Sequence, residues 1–363
     1  MSNLRDVLEN HQNGFKTETG EKNYITYIED TTHIFLAKLS QYRNTLFEGH
    51  NITNTALTPS VIFDSCEQLL GAIKKSHEFF LQNQPAKAKK ILEDQLTLIF
   101  DHPILTLKKE LSINQGENFY RIRLGENMNY SKQDVFHIPF NSRNKVSEQR
   151  FSIVGCPSLY IGNSVYTTWI EMGRPKVNEV NIIRLESTSQ IKVLNLQKDF
   201  YNRSDLSNSS FDELVYFAIV YPLILATSIT VKNPKDPFKE EYVISKMLTE
   251  IIFNNDDIQG IAYNSTKVMS DSNNRFFNVV LPGKQTVSTA IHCPHLTNLF
   301  KLTESYNWSN LEFINFQNGS SPSSTLNPYI NTIQLVSNHP TNYSETKFGN
   351  LEKFLLNQSC TPI

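Results

Sequence analysis

A set of polar side chains at the edges of apolar segments could share one site: Arg121, Arg123, Arg150, Ser152, Tyr160, Glu171 and Ser265. Phe119-Tyr120-Arg121-Ile122-Arg123 alternates apolar and basic residues, as a half-buried strand does. Arg150 stands just before Phe151-Ser152, and Tyr160 lies in Pro157-Ser158-Leu159-Tyr160-Ile161-Gly162, a short strand closed by glycine. Glu171 belongs to a helix beginning near Val165, and Ser265 sits where a strand opens into a loop. A guanidinium offers a planar fork of donors to an anion, and a carboxylate can face a developing positive charge. Each residue alone has an ordinary structural use as well. A strand-edge arginine is commonly a surface or ion-pair residue, and Glu171 paired with Arg121 or Arg150 would be a salt bridge that mimics an active site.

Other chemistries lack their motifs. The chain has no G-x-x-x-x-G-K-[ST] loop, no G-x-G-x-x-G, no H-E-x-x-H and no G-x-S-x-G. Cys66, Cys156, Cys293 and Cys360 form no C-x-x-C pair, so neither a zinc ribbon nor a redox dithiol is indicated, and no metal is expected. His292 and His295 bracket Cys293-Pro294 without a partner cluster, which reads as a loop with incidental histidines. So few cysteines point to a reducing cytoplasm. The formal net charge is -2, from 34 basic and 36 acidic side chains, which leaves no basic excess to hold nucleic acid or an anionic membrane. The N-terminus has no apolar core of a secretory signal. Leu214 to Val231 carries no charge, but Pro222 interrupts it and Thr227, Ser228 and Thr230 dilute its end, so a buried core helix is expected there.

Elements to position the polar set can be read along the chain. Apolar residues recur at helical steps from Tyr24 to about Leu46. Thr58-Pro59-Ser60 starts a second helix, since a first-turn proline loses no needed donor. Gln84-Pro85 breaks it, and Ala86 to Ile99 restarts. Strands are expected at Val180 to Leu185, Ile191 to Leu196, Ile258 to Tyr263 and Phe276 to Pro282, with buried helices in the Leu214 run and at Glu240 to Phe253. Gly319 to Ser324 has the composition of a linker. Few helices alternate singly with strands, which indicates α+β. Three segments are expected: a helical module over 1–105, a chemical domain over 106–302 and a loosely structured extension over 303–363. The helical module would bind a partner or a second copy and supply no chemical group.

The ordered pieces resemble the RES domain family, named for its Arg, Glu and Ser. The resemblance runs through F-Y-R-I-R, H-I-P-F (His137 to Phe140), R-F-S-I-V-G-C-P-S-L-Y (Arg150 to Tyr160) and T-T-W-I-E (Thr167 to Glu171). It resumes at E-E-Y-V-I-S (Glu240 to Ser245), G-I-A-Y-N-S (Gly260 to Ser265) and N-V-V-L-P (Asn278 to Pro282), and covers about half the chain. Many members carry Arg-Trp-Asn where Arg150-Phe151-Ser152 stands here.

The resemblance implies a fold similar to ADP-ribosyltransferase toxins and an enzyme that consumes NAD⁺ by hydrolysis or phosphorolysis, often a toxin held by an antitoxin or immunity protein. NAD⁺ would be the substrate, with no cofactor besides, and inorganic phosphate a possible acceptor. In that chemistry nicotinamide departs neutral and the ribose gains oxocarbenium character. Glu171 would stabilise that charge, Arg121 would grip the pyrophosphate, and Arg150 would share the grip or bind phosphate. Tyr160 would face the nicotinamide and Ser265 would hydrogen-bond its amide or the ribose. Arg123 and Ser152 would line the same substrate pocket. The competing classes are an ADP-ribosyltransferase acting on a macromolecule, which the same fold allows, and a non-catalytic binding protein.

Overall fold

The helical stripes of the first hundred residues fold as helices, and proline and polar caps mark their starts. The computed structural model describes residues 3–9, 16–50, 56–102, 105, 107–125, 130–203, 206–265, 274–311, 330–336 and 339–363. Its helices are α1 (Leu4–Glu9), α2 (Tyr24–Gln41), α3 (Pro59–Leu81), α4 (Pro85–Phe100), α5 (Lys132–Val135), α6 (Val165–Glu171), α7 (Phe211–Ser228), α8 (Val243–Phe253), α9 (Pro294–Leu299), α10 (Trp308–Leu311) and α11 (Lys347–Leu356). Its strands are β1 (Glu110–Ile113), β2 (Asn118–Leu124), β3 (Ser158–Gly162), β4 (Val180–Ser187), β5 (Ile191–Leu196), β6 (Gly260–Asn264), β7 (Phe277–Pro282), β8 (Phe300–Leu302), β9 (Tyr306–Asn307), β10 (Thr332–Val336) and β11 (His339–Asn342). The Asn23 side chain caps α2 by accepting from Thr26 N, and Pro59 and Pro85 open α3 and α4. The first helical stripe ends at Gln41 rather than Leu46, and turns follow.

The architecture is α+β, and the chain divides into two compact units. One comprises Met1–Glu110, Gln149–Phe151 and Asn195–Asn254; the other comprises Leu111–Glu148, Ser152–Leu194 and Asn255–Ile363. This differs from three consecutive segments. The helical unit is completed by α7 and α8, which lie in the stretch assigned to the chemical domain. The reason is α7 itself. Every residue from Leu214 to Ser228 is buried, so this helix has no polar face to give to water. It packs against α1, α2, α3 and α8, whose apolar stripes need such a partner. Tyr221 stacks on Phe35 at 4.1 Å, and Phe217 on Phe200 at 3.7 Å. Pro222 removes a donor from α7 and crowds the carbonyl one turn back; beside it, Tyr201 Oη donates to Phe217 O at 2.7 Å. By length and composition α7 could cross a membrane, yet 83% of it is buried within the protein.

The second unit is built on one sheet in the order β1-β5-β6-β7-β3-β2-β4-β8, with β9 also on β4. Strand alternation sends side chains to two cores. Phe119, Leu159, Ile161, Ile183, Val279 and Leu281 point to one, with Val135 and Leu296 from α5 and α9. Tyr120, Ile122 and Ile182 point to the other, with Val165 and Ile170 from α6 and Phe348, Leu351 and Leu355 from α11. Among the described residues of the C-terminal segment, Trp308, Leu311, Ile330, Ile333 and the apolar face of α11 are therefore part of this core rather than a loose extension. Lys347–Leu356 carries Phe348, Leu351 and Leu355 at helical spacing, and its first turn is capped by Thr346. The Gly319–Ser324 linker lies outside the described residues.

A chain lacking residues 1–100 would strip α7 of α1, α2 and α3. We expect such a truncation to aggregate or to lose most of its helical circular dichroism. A soluble, monodisperse truncation with a cooperative thermal transition would contradict this packing.

Candidate functional site

β2 and β3 meet at a single residue pair, Tyr120 opposite Gly162. On its other side β2 pairs with β4 along its whole length, and β3 pairs with β7 likewise. The two strands therefore part beyond that pair, and Arg121 fills the parting. Its Nη1 donates to Tyr160 O at 2.7 Å, and its Nε donates to Val135 O at 2.7 Å and Phe136 O at 3.1 Å. No hydrogen bond to Arg121 Nη2 and no carboxylate pairing is seen among the described residues. Burial, and then the neighbouring Arg123, push the guanidinium down to about 10, which leaves it charged at neutral pH. Arg123 donates to Asp134 O and lies over the Tyr130 ring at 4.6 Å. Both arginines thus reach carbonyls at the end of α5, where orphan acceptors collect.

Glu171 is the last residue of α6. Ser164 caps that helix, accepting from Thr167 N at 3.0 Å. The buried Glu352 carboxylate accepts from Val165 N at 3.2 Å and from Tyr343 Oη at 2.6 Å. At the far end, Asn278 Nδ2 donates to Glu171 Oε2 at 3.2 Å. Asn278 lies opposite Gly162 on β3 and Tyr263 on β6. Tyr160 is two residues before Gly162, so it shares Asn278's face of the sheet. Tyr160 and the Asn278–Glu171 contact thus lie on the face of the sheet that α6 covers, whereas Arg121 alternates with Tyr120 and Ile122 onto the other face and meets Tyr160 at its backbone carbonyl.

The remaining expected residues sit as follows. Ser265 is buried just past β6, two residues beyond Tyr263 and next to Asn264, whose Nδ2 donates to Phe276 O at 2.9 Å. Ser152 is buried in the loop before β3, its hydroxyl turned to Ser147 O at 3.5 Å. Arg150 belongs to the helical unit. There it donates to Thr227 O at 3.1 Å and Ile229 O at 2.6 Å, and lies over Tyr242 at 5.1 Å. Those contacts, with a further bond to Glu241 O at 3.4 Å, tie the end of α7 to the turn before α8. Glu171 accepts from an amide, that of Asn278. Asn278 and Glu352 were not singled out from the sequence. A polar residue inside an apolar run such as Asn278-Val279-Val280-Leu281 is the signal that would have marked the first.

Among the described residues no group of three or more His, Cys, Asp or Glu suited to a metal occurs. His137 is fully buried, and its Nε2 accepts from Cys293 N at 2.8 Å while Nδ1 contacts Ile138 O at 2.8 Å. Nε2 must then be bare and Nδ1 must carry the proton. Burial, with smaller contributions from His292 and Arg121, lowers this histidine to about 4.

No protein-family model matches the chain, and no solved structure gives a significant match. Over 337 residues the chain is 29% identical to a protein of Bacillus subtilis (strain 168) named "Putative toxin YopC", an alignment covering 87% of this chain and 74% of that protein.

Two outcomes follow from the geometry. Arg121→Lys keeps a charge but loses the fork that holds three carbonyls, and we expect it to lower unfolding free energy by roughly 1–3 kcal/mol in urea titrations. An unchanged midpoint would show that the parting of β2 and β3 does not need the guanidinium. Between about pH 4 and 6.5 His137 takes up no second proton in the folded state, whereas in the unfolded chain it does. Its contribution is thus complete above about pH 6.5 and is lost as pH falls toward 4, by at most about 1.4 kcal/mol per pH unit. Buried His77, also lowered to about 4, titrates in the same window. His137→Gln should flatten the stability profile between pH 4 and 6.5 without abolishing its slope, and an unaltered slope would contradict the neutral assignment.

Proposed function

We propose that this protein is an NAD⁺-degrading toxin of the RES type. The observation that carries the reading is the Arg121 guanidinium, held only by carbonyls among the described residues, that of Tyr160 included, together with a Glu171 carboxylate that accepts from the Asn278 amide. A largely buried cation with no carboxylate pairing is where a pyrophosphate gains most, and the arginine fork suits it. The similarity to a protein named as a toxin supports the same class.

In this reading the bond between ribose C1′ and the nicotinamide nitrogen breaks, and its electron pair leaves with nicotinamide. That group departs neutral, so no general acid is required. Glu171 faces the ribose as positive charge develops there, Tyr160 presents its ring to nicotinamide, and Ser265 offers a hydroxyl to the amide or the ribose. Water or inorganic phosphate then adds to C1′. An antitoxin or immunity protein would restrain the activity in the cell.

The test is to incubate the purified chain with NAD⁺, with and without phosphate, and to identify products. Free nicotinamide should appear without any macromolecular target. Glu171→Gln should keep the fold and slow turnover by on the order of 10²–10³-fold, as for loss of one transition-state electrostatic contact. Intact NAD⁺ after prolonged incubation overturns the proposal, and nicotinamide release only when a protein or nucleic acid is added favours a transferase.

A further inference from the structure

We infer that Asn278 is a positioning residue for Glu171, an inference that rests on the NAD⁺ reading for its kinetic consequences. Asn278 is 3% exposed at the start of β7, and its Nδ2 donates to Glu171 Oε2 at 3.2 Å. Glu171 ends α6, where the helix dipole is negative and a carboxylate is disfavoured. A fixed donor offsets that and favours one orientation of the carboxylate. An amide gives that hold without adding positive charge, which would cancel the field the ribose requires. Gly162 makes the arrangement possible. A Cβ there would lie 3.2 Å from Asn278 Oδ1 and 2.7 Å from Thr168 Cγ2, so any side chain would displace both the amide and α6.

The experiment uses the full-length chain and the variants Asn278→Ala, Asn278→Ser, Asn278→Asp, Glu171→Gln and the double variant Glu171→Gln/Asn278→Ala. Loss of a hydrogen bond to a charged group predicts that Asn278→Ala and Asn278→Ser lower kcat on the order of tenfold to hundredfold, with KM nearly unchanged. In the Glu171→Gln background Asn278→Ala should have almost no further effect, because the two residues act as one unit. Asn278→Asp puts a like charge beside Glu171 and should move the acid limb of the kcat/KM profile upward by about one pH unit. A separate readout needs no turnover: in protein labelled with ¹³Cδ-glutamate, the signal missing from Glu171→Gln identifies Glu171. Its titration midpoint should rise in Asn278→Asp, or change in Asn278→Ser if the aspartate variant does not fold. If the wild-type protein leaves NAD⁺ intact, the functional reading fails and this titration alone decides the contact. If the wild-type protein is active, an unchanged kcat in Asn278→Ala, additive losses in the double variant, or an unmoved Glu171 titration overturns the inference.

Discussion

The second unit depends on how its sheet survives at the joint between β2 and β3. A strand pair normally gains from a ladder of backbone bonds, and here the ladder is reduced to Tyr120 opposite Gly162. The carbonyls left open along the parting would be costly if buried without donors. Arg121 answers one of them, Tyr160 O on β3, and with the same guanidinium holds Val135 O and Phe136 O at the end of α5. The guanidinium is thereby locked in place, which is what a binding residue on a rigid strand requires. The ladder between β2 and β3 is thus replaced by a side chain of β2 bonded to the backbone of β3.

The carboxylate side is fixed from much farther along the chain. α6 is short, so its position comes from its ends more than from its own ladder. Ser164 and Glu352 hold the N-terminal end, and Asn278 meets Glu171 at the other. Glu352 sits on α11, whose last carbonyls are held in turn by the buried Arg184: Nε donates to Leu355 O at 2.9 Å and Nη2 to Gln358 O at 2.7 Å. Removing one member of such a buried charged network costs on the order of 3–5 kcal/mol. The final helix thus acts on the candidate site without contributing a group to it.

Much of this was legible where one short period dominated. The alternation in Phe119 to Arg123 became β2, the Gly-closed run became β3, and the apolar stretch with Pro222 became a buried helix. What escaped notice depends on distant carbonyls. Nothing near Arg150 in sequence indicates Thr227 O or Ile229 O, so its structural use could not be separated from a binding one. The grouping of α7 with the first helices could have been inferred, because a helix apolar on every side needs several partners. α11 was hidden by the linker-like composition before it, although Phe348, Leu351 and Leu355 already carry the helical period.

A common logic joins the charged groups of the candidate site. Arg121 is steadied by carbonyl dipoles, and Glu171 receives an amide. Dipoles hold a charged side chain in one geometry while leaving its net charge uncancelled, whereas an ion pair of the two would cancel both fields. Arg184, by contrast, meets Glu186 at 3.0 Å, and there the charges bind parts of the protein to each other. Arg123 deepens the same asymmetry, since a second cation beside Arg121 raises the gain from any anion that enters. Holding Arg121 by carbonyl dipoles alone among the described residues leaves its charge uncompensated there, at a cost in stability that an ion pair would have reduced.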